Sequence, residues 1–349
     1  MSDASDQGQM KSRVRRGKPR ARLAALLAFC LLTSPAIGLC AEPPTVIRYG
    51  QTLSAVRSIF SLPIVIAQRE GFFRRENLDF RLVIPIPGGA DKMIDALHDD
   101  TVDITHVATP FLIRAALAGS DAVAITAEFN NPIYSLIARP EIKTYADLKG
   151  KLLGLADEAG SITVSTRKLL AKNGLGANDF KFRTIDGTPS RFTCLTKGEC
   201  AAVPLGQPQD LLAIKDGFRL LGSSVEVVPE FVYTVTAVRR SWATAHRQAM
   251  LRYVRAMAAA FTFIRDTSKR NAVIAAIVES NAISADVAAR ILTLYFEPER
   301  RVLPRRGEID AKGFREVIVF MGEAGLLKPP YPDAERFIDR QYLRAAGIE

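Results

Sequence analysis

The chain has 349 residues, 48% of them hydrophobic and 24% charged, with a formal net charge of +10. That length exceeds one typical core, so two lobes are expected, and the composition is ordinary for a soluble globular protein. Residues 1–41 carry seven Lys and Arg; the rest holds forty basic against thirty-five acidic residues, net +5, with no basic stripe interleaved with aromatics, so nucleic-acid binding loses its main support.

In chain order, the basic segment Lys11–Arg22 precedes an apolar run from Leu23 to about Leu32, then Ser34-Pro35 and small residues up to Ala41-Glu42. This reads as a secretory signal cut near Ala41, and hence a periplasmic protein; the apolar run is short for a bilayer span. An uncleaved anchor is the alternative. Leu39 disfavours a lipoprotein site at Cys40, and Arg15-Arg16 lacks the apolar continuation of a twin-arginine signal.

A helix at Ile64–Glu70 stops at Gly71, and an alternating strand follows, Phe80-x-Leu82-x-Ile84. After a Pro/Gly loop come a helix near Asp91–His98, a strand Val102–Val107, and a helix opened by Thr109 as N-cap with Pro110 at N1. Pro132–Arg139 reads as a strand leaving the first lobe, and Thr144-x-x-Asp147 as a capping box. Leu152–Leu155 is a strand, Gly160-Ser161 opens a helix to about Lys172, and the alternation repeats through Phe180–Thr184, Pro189–Lys197, Cys200–Val203, Pro208–Lys215 and Arg219–Leu221. Phe231–Val238 is a β-branched return strand. Beyond it only helices are predicted: one capped by Ser241 and running to about Thr267, then Asn271–Ser280, Ser284–Tyr295 and Asp310–Ala324, all expected to back the first lobe. Glu299–Arg306 reads as a solvated basic loop.

The order predicts an α/β protein with mixed, mostly parallel sheets and helices on both faces. Two crossings, near 132–136 and 232–237, describe a hinged cleft between lobe 1 (42–133 and 238–349) and lobe 2 (134–237). Small ligands in such sheets sit at the carboxyl ends of strands, against helix N-termini.

Three blocks carry a family resemblance: Pro63-Ile-Val-Ile-Ala-Gln-Arg-Glu-Gly-Phe-Phe, Ile142-Lys-Thr-Tyr-Ala-Asp-Leu-Lys-Gly-Lys, and Gly198-Glu-Cys-Ala-Ala-Val-Pro-Leu-Gly-Gln-Pro. Over roughly residues 45–265 the chain resembles the NMT1/THI5-like (SsuA/TauA-like) solute-binding proteins of ABC importers. The resemblance implies a type II periplasmic-binding-protein fold and a small anionic or heterocyclic solute: a sulfonate, carboxylate, nitrate-like or pyrimidine-like molecule. It also implies an inner-membrane permease with its cytoplasmic ATPase as partner, a monomer, no cofactor and no catalysis. Two departures stand out. Relatives read Val-Asp-Ala where this chain has Cys200-Ala201-Ala202, and some carry an aromatic where it has Gly206.

The strongest candidate contact is the helix start at Ser161, Ile162 and Thr163, where backbone N–H groups lack intrahelical partners. Ser161 is either an N-cap or a contact, and Thr163 matches a hydroxyl position of the family. Thr109 faces the same choice. Gly88 and Gly89 either expose N–H groups to an anion or form a plain turn. Asn131 enters the crossover, Arg191 is either a surface residue or a partner for an acidic solute group, and Gln207 stands where relatives place an acidic or amide residue. Ser61, just ahead of Pro63, completes the set.

Cys194 and Cys200 flank Gly198, and are either a local disulfide or two small buried hydrophobes. An enzyme on the same scaffold is the rival class. The related pyrimidine synthase uses a cysteine-rich iron motif that is absent here, and desulfinases of similar fold need a first-lobe cysteine, whereas residues 42–193 contain none. His98, His106 and His246 have no metal-ligand spacing, and His106, beside a strand end, reads as structural. A sensor lobe would need a transmembrane helix after the binding fold, and no such stretch appears before Glu349.

Overall fold

Two five-stranded sheets organise the chain, and the strands that cross between them are the ones that run against their neighbours. The computed structural model describes residues 42–52, 55, 58–83, 92–131, 133–158, 160–228, 230–296 and 301–349. The expected signal segment, Gly88, Gly89 and the start of the 299–306 run lie outside the described residues.

The strands are β1 (Thr45–Gly50), β2 (Leu78–Val83), β3 (Ile104–Ala108), β4 (Ala122–Phe129) and β5 (Ser135–Ala138), then β6 (Leu152–Leu155), β7 (Lys181–Thr184), β8 (Ala202–Leu205), β9 (Arg219–Ser223) and β10 (Thr234–Arg239). The first sheet has the order β2-β1-β3-β10-β4 and the second β7-β6-β8-β5-β9. β1 pairs parallel with β2 and β3, and β6 with β7 and β8. β10, which brings the chain back, is antiparallel to β3 and β4; β5, which carries it out, is antiparallel to β8 and β9. This is the expected two-lobed binding-protein architecture.

The first lobe carries helices α1 (Leu62–Arg69), α2 (Phe72–Arg75), α3 (Lys92–His98) and α4 (Thr109–Leu117). The second carries α5 (Ser161–Lys172), α6 (Thr188–Thr196) and α7 (Gln209–Lys215). The C-terminal region supplies α8 (Arg240–Ala245), α9 (Arg247–Arg265), α10 (Arg270–Asn281), α11 (Ala285–Phe296), α12 (Ala311–Glu323) and α13 (Gln341–Ala345). In α9, Met250, Tyr253, Val254, Met257, Phe261 and Ile264 recur at helical spacing and are all buried; the helix packs on α1 and α2, and Tyr253 reaches Thr236 of β10 and Phe80 of β2.

Several predicted helix starts move by one residue. The N-cap of α4 is Ala108, and Thr109 lies inside the helix. The N-cap of α5 is Gly160, with Ser161 inside. The single helix expected from Ser241 breaks at His246 into α8 and α9, and the N-cap of α8 is Arg239. Ser241 instead donates its backbone N–H (3.1 Å) and hydroxyl (2.6 Å) to Asp121, so a carboxylate from the turn between α4 and β4 serves the helix start.

β4 is an edge strand by pairing order yet is buried along its whole length. The C-terminal region covers it: Ala127 N–H donates to Gly307 O (2.9 Å), Asp339 N–H to Ala124 O (2.9 Å), and Ile338 bridges to Ala124. The same region reaches the second lobe, beyond its expected place behind the first. Tyr295 of α11 donates to Gln207 (3.3 Å), and Lys168 of α5 pairs with Glu323 of α12 while lying 4.6 Å from the Phe320 ring centre.

Cys194 and Cys200 form a disulfide with Cα atoms 5.4 Å apart. Gly198, at φ +74°, turns the chain between them, and Glu199 and Cys200 N–H both donate to Cys194 O. Both sulfurs belong to the small core formed by Ile137, Leu195, Val203 and Leu205.

Candidate functional site

The two segments joining the sheets each present a tyrosine. Tyr134 precedes β5, Tyr233 precedes β10, and their phenolic oxygens lie 3.1 Å apart. Phe60 packs on both, with ring centres 5.9 and 5.6 Å away, and on Phe129 at 5.0 Å. The backbone around them is pinned. Ser224 donates its hydroxyl-adjacent N–H to Tyr134 O (2.9 Å), and Thr109 donates its hydroxyl to Val232 O (2.6 Å) and its N–H to Tyr233 O (3.0 Å). Burial pushes both tyrosines above their ordinary pKa, so both stay protonated hydroxyls.

Beside this aromatic floor lies a cavity of about 120 Å³. His106, Val107 and Ala108 at the carboxyl end of β3 line it from the first sheet, with Phe60, Met93 and Phe111. From the second lobe come Asp157, Ser161 and Ile162 at the start of α5, and Asp186, Thr188 and Arg191 at the start of α6. These are the strand carboxyl ends and helix N-termini at which open α/β sheets hold ligands. The volume is below the ~300–1,000 Å³ of drug-sized sites, so it suits a solute no larger than about one ring.

Arg191 is 1% exposed, contrary to the surface placement that its type favours. Nε donates to Pro204 O (2.8 Å), Nη1 to Ile185 O (3.0 Å) and Nη2 to Thr188 Oγ1 (3.0 Å). Three of its five donors are thus committed to the wall, which fixes the guanidinium plane. Burial lowers its pKa, while Tyr134, Tyr233, Asp186 and Asp157 act in the opposite direction. The described charged side chains on the cavity wall are this one cation and two carboxylates, Asp157 and Asp186.

The start of α5 is built around Asp157. Its carboxylate accepts from Gly160 N–H, and a Cβ on Gly160 would collide with that carboxylate, so glycine is the residue that fits. The Thr163 hydroxyl donates to Asp157 O (2.7 Å) and accepts from Asp157 N–H (3.2 Å). Thr163 therefore staples the loop. Ser161 is 3% exposed, and its hydroxyl has no hydrogen-bond partner among the described residues.

On the first-sheet wall, His106 Nδ1 hydrogen-bonds Glu128, a carboxylate 1% exposed. Glu128 also accepts from Tyr49 (2.8 Å) and Thr236 (2.6 Å).

Of the sequence candidates, Ser161, Ile162 and Arg191 meet at the cavity. Ser61 donates its hydroxyl to Ser58 O (2.9 Å), Thr109 serves the crossover backbone, and Asn131 is buried away from the cavity wall. Gln207 is spent on Asp210 (2.8 Å) and Tyr295. Asp210 also accepts from Ser135 (2.8 Å); burial raises its pKa, and the Ser135 and Gln207 hydrogen bonds oppose that. Sequence reasoning missed Asp157, Asp186, Tyr134 and Tyr233 as lining residues, and took His106 as structural. The two aspartates carried a usable signal, since each stands two residues beyond the end of a predicted strand of the second lobe. The tyrosines did not, because their meeting depends on the two crossovers converging.

The NMT1/THI5 like family model matches residues 60–267. A Haemophilus influenzae protein named for thiamine biosynthesis is 29% identical over 93 residues, which cover 26% of this chain and 29% of that protein, so the match spans less than a third of that relative's length. A ligand-binding component of an ABC-type import system from Staphylococcus aureus, with zinc bound, superposes with TM-score 0.72 at 13% identity over 87% of this chain and 100% of that one. The alkanesulfonate-binding protein SsuA of Xanthomonas axonopodis, bound to MOPS, gives 0.66 at 19% identity over 86% and 100%. A DszB variant in complex with biphenyl-2-sulfinic acid gives 0.60 at 14% identity over 86% and 98%. At these identities the structures share the fold.

Proposed function

The chain belongs to the NMT1/THI5-like family, and on that premise we propose that it is the solute-binding component of an ABC importer. In this reading the chain is exported, its signal segment is removed near Ala41, and the mature protein works in the periplasm as a monomer. It closes on a small solute and presents the closed form to an inner-membrane permease with its cytoplasmic ATPase. The observation that carries the reading is the cavity, whose wall is drawn from both sheets and both crossovers, so that a solute there bonds to both lobes at once.

The charges narrow the solute. A simple anion would gain Arg191 and the first-turn N–H groups of α5, but would face Asp157 and Asp186. A small heterocycle carrying both N–H donors and a ring acceptor satisfies carboxylates, guanidinium and the Ser161 hydroxyl together, with its ring against Phe60 and the two tyrosines. Among the classes considered, the pyrimidine-like one therefore fits best.

The rival is an enzyme on this scaffold, which the names of the Haemophilus protein and the DszB complex keep in view. Among the described residues the only cysteines are the disulfide pair, and no cluster of three metal-binding side chains occurs, so neither thiol nor metal chemistry finds its residues there. A thermal-shift screen of residues 42–349 against amino-pyrimidines, sulfonates, carboxylates and nitrate tests the reading, because a ligand bound only by the folded state raises the melting temperature. Stabilisation by one class without turnover supports it. Conversion of the stabilising compound supports the enzyme, and no stabilisation by any class removes the solute-binding reading.

A further inference from the structure

Tyr49, His106, Thr236 and Glu128 come from four neighbouring strands, β1, β3, β10 and β4, and form one polar row across the first sheet. Glu128 is its sink. Oε1 accepts from Tyr49 Oη (2.8 Å) and Thr236 Oγ1 (2.6 Å), and Oε2 meets His106 Nδ1. Thr236 has a single proton and spends it on Glu128, so Tyr253, 3.0 Å away, donates to Thr236. The tyrosine and the threonine both supply protons to one carboxylate; with that carboxylate ionised, Oε2 can only accept, which places an imidazole proton on Nδ1. A neutral imidazole has one N–H, so Nε2 then carries a bare lone pair. His106 lines the cavity, its side chain is 11% exposed, and Nε2 has no partner among the described residues.

The geometry points to His106 as a specificity-determining residue: its Nε2 accepts a hydrogen bond from an N–H of the solute, and so selects amino or ring N–H heterocycles over donor-less analogues of the same shape. This rests on the solute-binding reading above and deepens it. The acceptor is preset, because Tyr49, Thr236 and Tyr253 hold Glu128, and Glu128 holds the ring, before any solute arrives. A wrong analogue would bury that lone pair unpaired, which costs more than the bond itself gains.

The chain has three histidines, so ¹⁵N-histidine labelling of residues 42–349 resolves them, with His106→Gln to assign the signal. At about pH 8 the long-range ¹H–¹⁵N spectrum should show His106 with Nδ1 protonated and Nε2 bare. Adding 4-aminopyrimidine should shift that Nε2 resonance, and its affinity should exceed that of the near-isosteric, donor-less 4-methylpyrimidine by about twofold to tenfold, a preference that His106→Leu abolishes. A protonated Nε2 in the free protein overturns the assignment whatever the variants do. So does equal affinity for the two pyrimidines, or a preference that survives in His106→Leu, and both leave solute binding intact. Binding of sulfonate or nitrate but neither pyrimidine also overturns it, whereas failure of every solute class to bind is the failure of the solute-binding reading itself.

Discussion

The phenolic oxygens of Tyr134 and Tyr233 lie 3.1 Å apart, joining the two segments that carry the chain between its sheets. Both side chains are buried, so removing either hydroxyl strands the other. Tyr233→Phe or Tyr134→Phe alone should cost about 1–3 kcal/mol, and the double substitution less than the sum of the two. Urea unfolding of the four proteins in this cycle measures the coupling. Additive losses would mean the two hydroxyls do not bond.

Arg191 holds two backbone carbonyls and Thr188 while facing the cavity. Arg191→Met should therefore lower stability by about 2–4 kcal/mol, since it leaves Pro204 O and Ile185 O buried without donors. Arg191→Lys restores the charge but not the fork, and should recover less than half of that loss. Full recovery by lysine in thermal melts would show that charge alone matters here.

Ser161 and Thr163 should behave in opposite ways. The Ser161 hydroxyl has no partner among the described residues and Gly160 is the N-cap, so Ser161→Ala should change apo stability by under about 0.5 kcal/mol while weakening a confirmed solute by about twofold to tenfold. Thr163→Val removes both bonds to Asp157 and should cost about 1–2 kcal/mol in the apo protein. A stability loss in Ser161→Ala with unchanged affinity would restore it to a purely structural role.

Asp210 gives a pH signature. Burial raises its folded-state pKa, so the native state holds this proton more tightly than the unfolded chain. The stability associated with that proton is present in acid and is lost as pH rises from the ordinary carboxylate value through the raised one. Asp210→Asn cannot titrate, so its stability relative to wild type should improve as pH climbs from about 4 to 7. A constant difference across that range, by urea midpoint, would contradict the buried placement.

Most of the βα order and the two crossings were legible because they depend on local pattern, apolar runs and Gly stops; strands β1 and β4 went uncalled, and the cysteine pair stayed open between a disulfide and two buried hydrophobes because bridging depends on Cα separation. What was not legible came from tertiary contacts overriding local preference. Thr109, Ser161 and Ser241 all have the chemistry of an N-cap, yet each lies one or two residues inside its helix. Thr109 and Ser241 turn their hydroxyls to a crossover carbonyl and to Asp121, neither of which is near in sequence. Arg191 reads as a surface residue until the carbonyls of Ile185 and Pro204 are seen to converge on it. His106 reads as structural because Glu128, Tyr49 and Thr236 become its neighbours only when four strands pair.

The proposed placement puts one small solute between the sheets, touching Arg191 and Ser161 from the second lobe and His106 from the first. A crystal structure of residues 42–349 with whichever amino-pyrimidine most raises the melting temperature tests it directly. The ring should lie against Phe60, Tyr134 and Tyr233, with polar atoms within hydrogen-bond reach of Arg191, Ser161 and His106. A solute bound outside this cavity, or inside it without contact to Arg191 and Ser161, would contradict it.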